Sequence, residues 1–410
     1  MASTPATELA QQILDSCLEY GTWPARPLDA LIERALDEED QFAAQAATRA
    51  LFGIVIERLG DLFEPSLCEI YARLFVHVIS RALPEYKAED LLLRYHRVRQ
   101  VRRFQGGEVQ RIFVLSRVTL GADVAVTSVA LAAAKERFPD AEICFIGPAK
   151  NCEMFAADSR IVPIAVAYGR AGLLRDRLLA AAELQVATDE LSSIVIDPDS
   201  RMTQLGLIPI CDDSRYYFFE SRAFGGETES TLSQLTGEWL VEVFDIKPPQ
   251  PYVAPVHQES IADITVSWGV GENENKRLDD QFEHAVMRRL LREGRPILLD
   301  RGAGGAEAAR ADALAKSLGL PANLHLHDGT YASFASHILQ SRLYVGYDSA
   351  GQHVAWSGNV PLVCVFTGFP CNRMLSRWRP TGSATRVVEV DETSRCTALE
   401  RTLSAIGEIA

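Results

Sequence analysis

Residues 343–355 read LYVGYDSAGQHVA: a five-residue apolar run, then an acid, a hydroxyl, two small residues, a glutamine and a histidine. The apolar run predicts a buried strand, and the small residues predict a helix that begins near Ser349 or Gly351. Asp348 and Ser349 then occupy a strand-to-helix corner. The first N–H groups of such a helix have no partner within it, and with the positive end of the helix dipole they make a seat for phosphate. Small side chains at 350 and 351 let a ligand come close to the backbone. Asp348 or Ser349 capping an ordinary helix explains the same residues equally well.

The same alternation extends outward from this corner. DITVSW, PILLD, NLHLH, LYVGY, PLVCVF and RVVEV are short apolar or β-branched runs separated by helical patterns around 277–292 and 306–318. Upstream, RIFVLS, AEICFIG, RIVPIAVA and SSIVIDP alternate with helical stretches that include 173–187. This is the pattern of βαβ units on parallel sheets. DIKPPQPYVAPVH, residues 245–257, carries four prolines and reads as a stiff interdomain linker. Residues 1–105 keep helical spacing throughout, as in Leu28, Leu31, Ile32, Ala35, Leu36 and in Leu67, Ile70, Tyr71, Leu74, Phe75, Val78, Ile79. The expected fold class is α/β, with two Rossmann-like parallel-sheet domains facing a cleft behind an all-helical N-terminal region. The expected domains are 1–105, 106–250 and 251–410.

Three other stretches bear on the corner. DITVSWGVGENENKRLDD places Lys276 after the first strand of the same half, in reach of a phosphate or as a solvated lysine on an acidic loop. PILLDRGAGGAEAAR has a glycine-rich turn, but Glu307 stands where a dinucleotide fingerprint needs its third glycine. NAD binding is therefore disfavoured, while a carboxylate there can accept hydrogen bonds from a ribose. In the first half, RIFVLSRVTLGADVAVTSVALAAAKERF predicts a strand, a loop at Gly121 and a helix beginning near Asp123. That acid is either a base for a hydroxyl nucleophile or an N-cap. A helix N-terminus lowers the basicity of a carboxylate, which a catalytic site has to offset.

With 410 residues, 47% apolar and 23% charged, the chain has material for two or three globular domains. Its formal charge of -14 argues against nucleic acid and anionic lipid as partners, so an anionic ligand needs a local pocket. Eight scattered cysteines without a CxxC pair support neither a zinc site nor a disulfide framework. The N-terminus lacks a leader pattern, and no run of about twenty apolar residues predicts a transmembrane segment, so a cytoplasmic protein is expected. The basic run RYHRVRQVRRF, residues 94–104, reads as a salt-bridged domain junction in preference to a contact with an anionic acceptor or membrane. Arg373, Arg377 and Arg379 around Trp378 read as an anion grip or as surface charge.

Over residues 110–390 the chain resembles glycosyltransferase family nine, the ADP-heptose:lipopolysaccharide heptosyltransferases of GT-B fold. The resemblance is carried by SRVTLGADVAVTSVALAAAKERFPDAEI, SSIVIDPDSRMTQ, NENKR and DSAGQHVAWSGNVPLVCVF, the last similar to the family's D-[ST]-G-x-x-H-x-A-x-x-x-x-x-P. It implies Asp123 as catalytic base, Lys276 on the donor phosphates, Glu307 near the nucleotide, and Asp348, Ser349, Gly351 and His353 as the diphosphate corner. Three places depart from the pattern: Ala122 stands between the glycine and the acid, Ala350 replaces a glycine, and the loop GFPCNRMLSRWRP, residues 368–380, replaces the family's usual phosphate-side pattern.

The expected function is inverting, metal-independent transfer of a heptose-like sugar from a nucleotide-diphosphate donor such as ADP-heptose to a hydroxyl of a glycan, lipid or protein acceptor. No other cofactor is implied. Residues 1–105, outside the resemblance, are expected to recruit an acceptor or build a homo-oligomer. The competing readings are an inactive nucleotide-sugar-binding scaffold, motivated by Ala122, and a GT-B sugar-nucleotide epimerase.

Overall fold

The computed structural model describes residues 5–409 except 170, 171, 272 and 303. The chain divides into two compact units. One comprises residues up to Val118, Ala133–Ala149 and Val162–Pro249; the other comprises Thr119–Ala132, Lys150–Ile161 and Gln250 onward.

The first unit opens with helices. In Ala25–Ala35 and Pro65–Ala82 residues at three- and four-residue spacing, Leu28, Leu31 and Ile32 in one and Ile70, Leu74, Val78 and Ile79 in the other, are buried. Helix Gln41–Ala50 is capped by the Asp40 carboxylate, which accepts from the Ala43 N–H at 3.0 Å. The unit's sheet has five parallel strands, β1 Arg111–Leu115, β2 Glu142–Gly147, β3 Ile161–Ala165, β4 Ser193–Asp197 and β5 Tyr216–Phe218, in the order β3-β2-β1-β4-β5. β5 was not predicted, because three residues are too few to register as a run. Helices and sheet share one core, in which Phe75 and Val78 lie with Phe113, Val195 and Phe218.

The basic run is a junction within this unit. Arg94 pairs with Asp213 at 2.7 Å, Arg97 with Asp213 at 3.0 Å, and Arg99 with Glu69 at 3.1 Å and Glu220 at 2.8 Å. Arg102 donates to the Asp213 and Tyr216 carbonyls. Arginine's planar fork suits such bracing of one layer against another.

The second unit has six parallel strands, β6 Ile264–Ser267, β7 Ile297–Asp300, β8 Leu324–His327, β9 Leu343–Tyr347, β10 Leu362–Thr367 and β11 Thr385–Val390, in the order β11-β10-β9-β6-β7-β8. β9 and β10 are buried along their whole length, as central parallel strands covered on both faces must be. Counted within each half, the first sheet runs 3-2-1-4-5 and the second 3-2-1-4-5-6, the Rossmann order, with the direction of winding reversing between strands one and four. The proline-rich segment has no helix or strand, yet from Gln250 it is docked in this unit. Tyr252 Oη donates to Asp158 at 3.0 Å, and Ala254 bonds through its backbone to Met154 and Ala157, both at 2.8 Å.

Candidate functional site

In open parallel sheets ligands gather at the carboxyl ends of the strands where winding reverses. In the second unit that place lies between β6 and β9, and both loops there carry residues singled out above. The loop after β6 ends in a helical turn, Glu274–Lys276, held by the Asn273 side chain, which accepts from the Asn275 N–H at 3.1 Å. Gly368, after β10, has φ +68°, and a Cβ on it would lie 2.2 Å from the Asn275 carbonyl oxygen. Only glycine meets both demands, so the turn is seated firmly. Lys276 Nζ then reaches across to Asp348 Oδ2, after β9, at 2.5 Å.

Asp348 does not cap the helix Ala350–Ser357. Its other oxygen accepts from Gln352 Nε2, one turn along that helix. A carboxylate only accepts, so the amide nitrogen of Gln352 must face it, and the amide oxygen takes the Cys364 thiol at 2.7 Å. Ser349 holds the N-cap position, but no side chain caps this helix. The Ser349 hydroxyl faces the buried Tyr344 phenol, together with that of Ser267. The capping reading is not what the corner shows: neither Asp348 nor Ser349 spends its side chain on the first N–H groups of this helix. Gly351 has a packing reason of its own, since a Cβ there would lie 2.1 Å from Tyr344 Oη.

His353 is buried in the same helix, with its ring 5.7 Å from that of Trp378 and its Nε2 3.4 Å from Gln352 Nε2. Burial pushes its imidazole down to about 4; Asp348 opposes this and Lys276 adds to it. At neutral pH it is an uncharged hydrogen-bonding group. Glu307 is tied to the loop after β6: its Oε1 accepts from the Val270 and Gly271 N–H groups, both at 3.0 Å. Beside it the Trp268 Nε1 is buried without a hydrogen-bond partner.

Asp123 was expected at the start of its helix. The helix begins earlier, at Leu120, with Thr119 in the N-cap position, so Asp123 is no cap and opens a wider π turn, Asp123–Thr127. Such turns occur often at functional sites. Asp123 has 0% exposure; its Oδ1 accepts from Thr127 Oγ1 at 2.7 Å and its Oδ2 from Asn151 Nδ2 at 2.5 Å. The turn before it lies against the corner helix: a Cβ at Gly121 would be 3.3 Å from the Ala350 Cα and 3.2 Å from the His353 ring.

The structure thus gathers Lys276, Asp348, Ser349, Gly351 and His353 at one corner, with the Gly121 turn beside it. Glu307 fastens the neighbouring loop. Arg377 is buried, which excludes the surface-charge reading for that residue. Gln352 and Cys364 were missed. The one-turn spacing from Asp348 was a legible signal for Gln352, whereas Cys364 depends on the register of β10 against β9. Among the described residues no group of three or more His, Cys, Asp or Glu is arranged to hold a metal ion, all eight cysteines are free, and no helix is long and apolar enough to cross a membrane.

No protein-family model and no curated protein matches the chain. Solved structures do. E. coli heptosyltransferase WaaC with ADP is 15% identical with a TM-score of 0.56, over 73% of this chain and 100% of that one. E. coli ADP-heptose lps heptosyltransferase II is 15% identical with a TM-score of 0.52, over 73% and 98%. A family 9 glycosyltransferase from Veillonella parvula is 15% identical with a TM-score of 0.51, over 74% and 90%. The likeness establishes the fold: the chain is an α/β protein of GT-B type with a helical N-terminal region, built like the heptosyltransferases of family nine.

Proposed function

We propose that the protein is a glycosyltransferase that takes its sugar from a nucleotide-diphosphate donor. The observation that carries this reading is the Lys276–Asp348 pair at the reversal point of the second sheet, 2.5 Å apart and beside an uncapped helix N-terminus. An ammonium and a row of backbone N–H groups are what a departing diphosphate needs as its charge grows. The ADP bound in the WaaC structure supports a nucleotide as donor; the sugar is heptose-like by the resemblance, with ADP-heptose the first candidate.

In the proposed reaction an acceptor hydroxyl attacks the anomeric carbon from the face opposite the nucleotide. The C–O bond to the diphosphate breaks, configuration inverts, and the hydroxyl proton passes to a carboxylate. Asp123 is the candidate base, and its bonds to Thr127 and Asn151 have to loosen for it to act. No metal is assigned a step. The acceptor is a hydroxyl of a glycan, a lipid or a protein, and residues 1–105 recruit it or build a homo-oligomer.

A second reading, a nucleotide-sugar-binding scaffold without turnover, is favoured by one observation, the complete burial of Asp123. Calorimetric titration with ADP, GDP, UDP and their sugar conjugates, together with a turnover assay, separates the two. If the chain is an enzyme, Asp123→Asn abolishes turnover and leaves donor binding intact. A wild-type protein that binds the sugar nucleotide and transfers to no acceptor is a scaffold. Failure of every nucleotide to bind removes both readings.

A further inference from the structure

A groove of about 470 Å³ lies in the first unit, where the end of the basic run meets the turn after β5. Its volume is that of an ordinary small-molecule site, and seams between structural layers are where such sites form. The half-buried Phe224 lines it, above the buried rings of Phe218 and Trp239. His96, Arg99 and Glu220 line it as well.

The polar groups are fixed before any ligand arrives. Glu220 accepts from Tyr95 Oη and from Arg99 Nε at 3.0 Å, while Arg99 NH1 reaches Glu69 at 3.1 Å. His96 Nε2 bonds to the same Glu69 at 3.0 Å. Arg99 is therefore bracketed by two carboxylates, and its charge is cancelled on the spot. A phosphate or an anionic lipid headgroup finds no net positive charge there.

We propose that this groove binds a neutral saccharide unit. A pyranose has a C–H face that packs on aromatic rings and a rim of hydroxyls that each donate and accept. The groove offers the Phe224 ring together with a planar donor, a planar acceptor and an imidazole, all held in place by their neighbours. The site is separate from the Lys276 corner and does not depend on transfer activity. It gives the helical region a part in recognising carbohydrate.

The test uses the whole chain and saturation-transfer NMR with glucose, galactose, maltose and lactose, beside glucose 6-phosphate and inorganic phosphate. Val101 lines the groove from an exposed position, so Val101→Trp fills it without disturbing the core. At least one neutral sugar is expected to bind, at least tenfold more weakly to Val101→Trp, with ADP binding unchanged. Should that variant fold poorly, Gln100→Ala, at an exposed lining position, is expected to weaken the sugar several-fold. The proposal is overturned if none of the neutral sugars binds, if binding survives in the folded variants, or if the phosphates bind the groove in preference.

Discussion

The two sheets order their first five strands alike and place a base and an acid at the same topological point, yet they treat them in opposite ways. After the first and fourth strands of the first sheet stand Arg117 and Asp199, with side chains 4% and 1% exposed; Asp199 also binds Arg222 and accepts from Ser221 at 2.6 Å. Helices from the N-terminal region close over this cluster, and a Cβ on Gly60 would lie 2.7 Å from Arg222 Nε. At the equivalent point of the second sheet Lys276 keeps 21% of its side chain exposed above Asp348 at 4%. One reversal point has become core and the other has stayed open. A shared topology therefore does not assign function, and exposure of the charged pair tells the two apart.

The sharpest way to break this comparison is Asp199→Asn, which keeps the shape and tolerates the residue's φ of +73°. It removes the carboxylate that Arg222 and Arg117 share, while Asp61 still offsets part of the Arg222 charge, so urea unfolding should show a loss of about 3 kcal/mol. A loss below about 1 kcal/mol would mean that the cluster is not sealed.

A pH series sharpens the contrast. Burial raises Asp197, at the end of β4, to about 6, so the folded acid holds its proton above the ordinary 3.8, and lowering the pH from 6 to 4 adds stability. His353 runs the other way. Its folded imidazole takes a proton only near 4, the unfolded one at 6.5, so the same acidification removes stability. Each contributes on the order of 3 kcal/mol across its window. Asp197→Asn should therefore steepen the loss towards pH 4 relative to the parent, and His353→Gln should reverse it; identical pH profiles for the two variants would refute both assignments.

At the open corner, Lys276→Ala should weaken nucleotide-diphosphate binding about ten- to a hundredfold, the worth of a charge-assisted hydrogen bond, as read by calorimetry. Unchanged affinity would reduce the pair to a structural tie. The smallest effect belongs to Gly351→Ala, whose methyl collides with Tyr344 Oη and should cost about 1–2 kcal/mol. Tyr344→Phe in that background should recover part of it, and additive losses would show that the two residues do not meet.

Ten of the eleven strands among the described residues, and the helices between them, were legible because their apolar periodicity is local, and the corner was legible because a strand, an acid and small residues follow one another directly in the chain. β5 was too short to read. The Arg117–Asp199–Arg222 cluster was invisible, since its members stand 82 and 23 positions apart and meet only when the sheet orders its strands. Asp123 was found as a residue but not as an environment: the π turn that buries it and the Asn151 amide that binds it are products of packing.

By itself the sequence determined two alternating α/β halves, a helical N-terminal region and the identity of the corner residues, because periodicity and turn chemistry act over a few positions. Only the tertiary structure decided that Asp348 holds Lys276 instead of capping its helix, that Glu307 fastens a loop, and that one reversal point is buried while its twin is open. Those outcomes depend on which distant side chains fill the space beside each carboxylate.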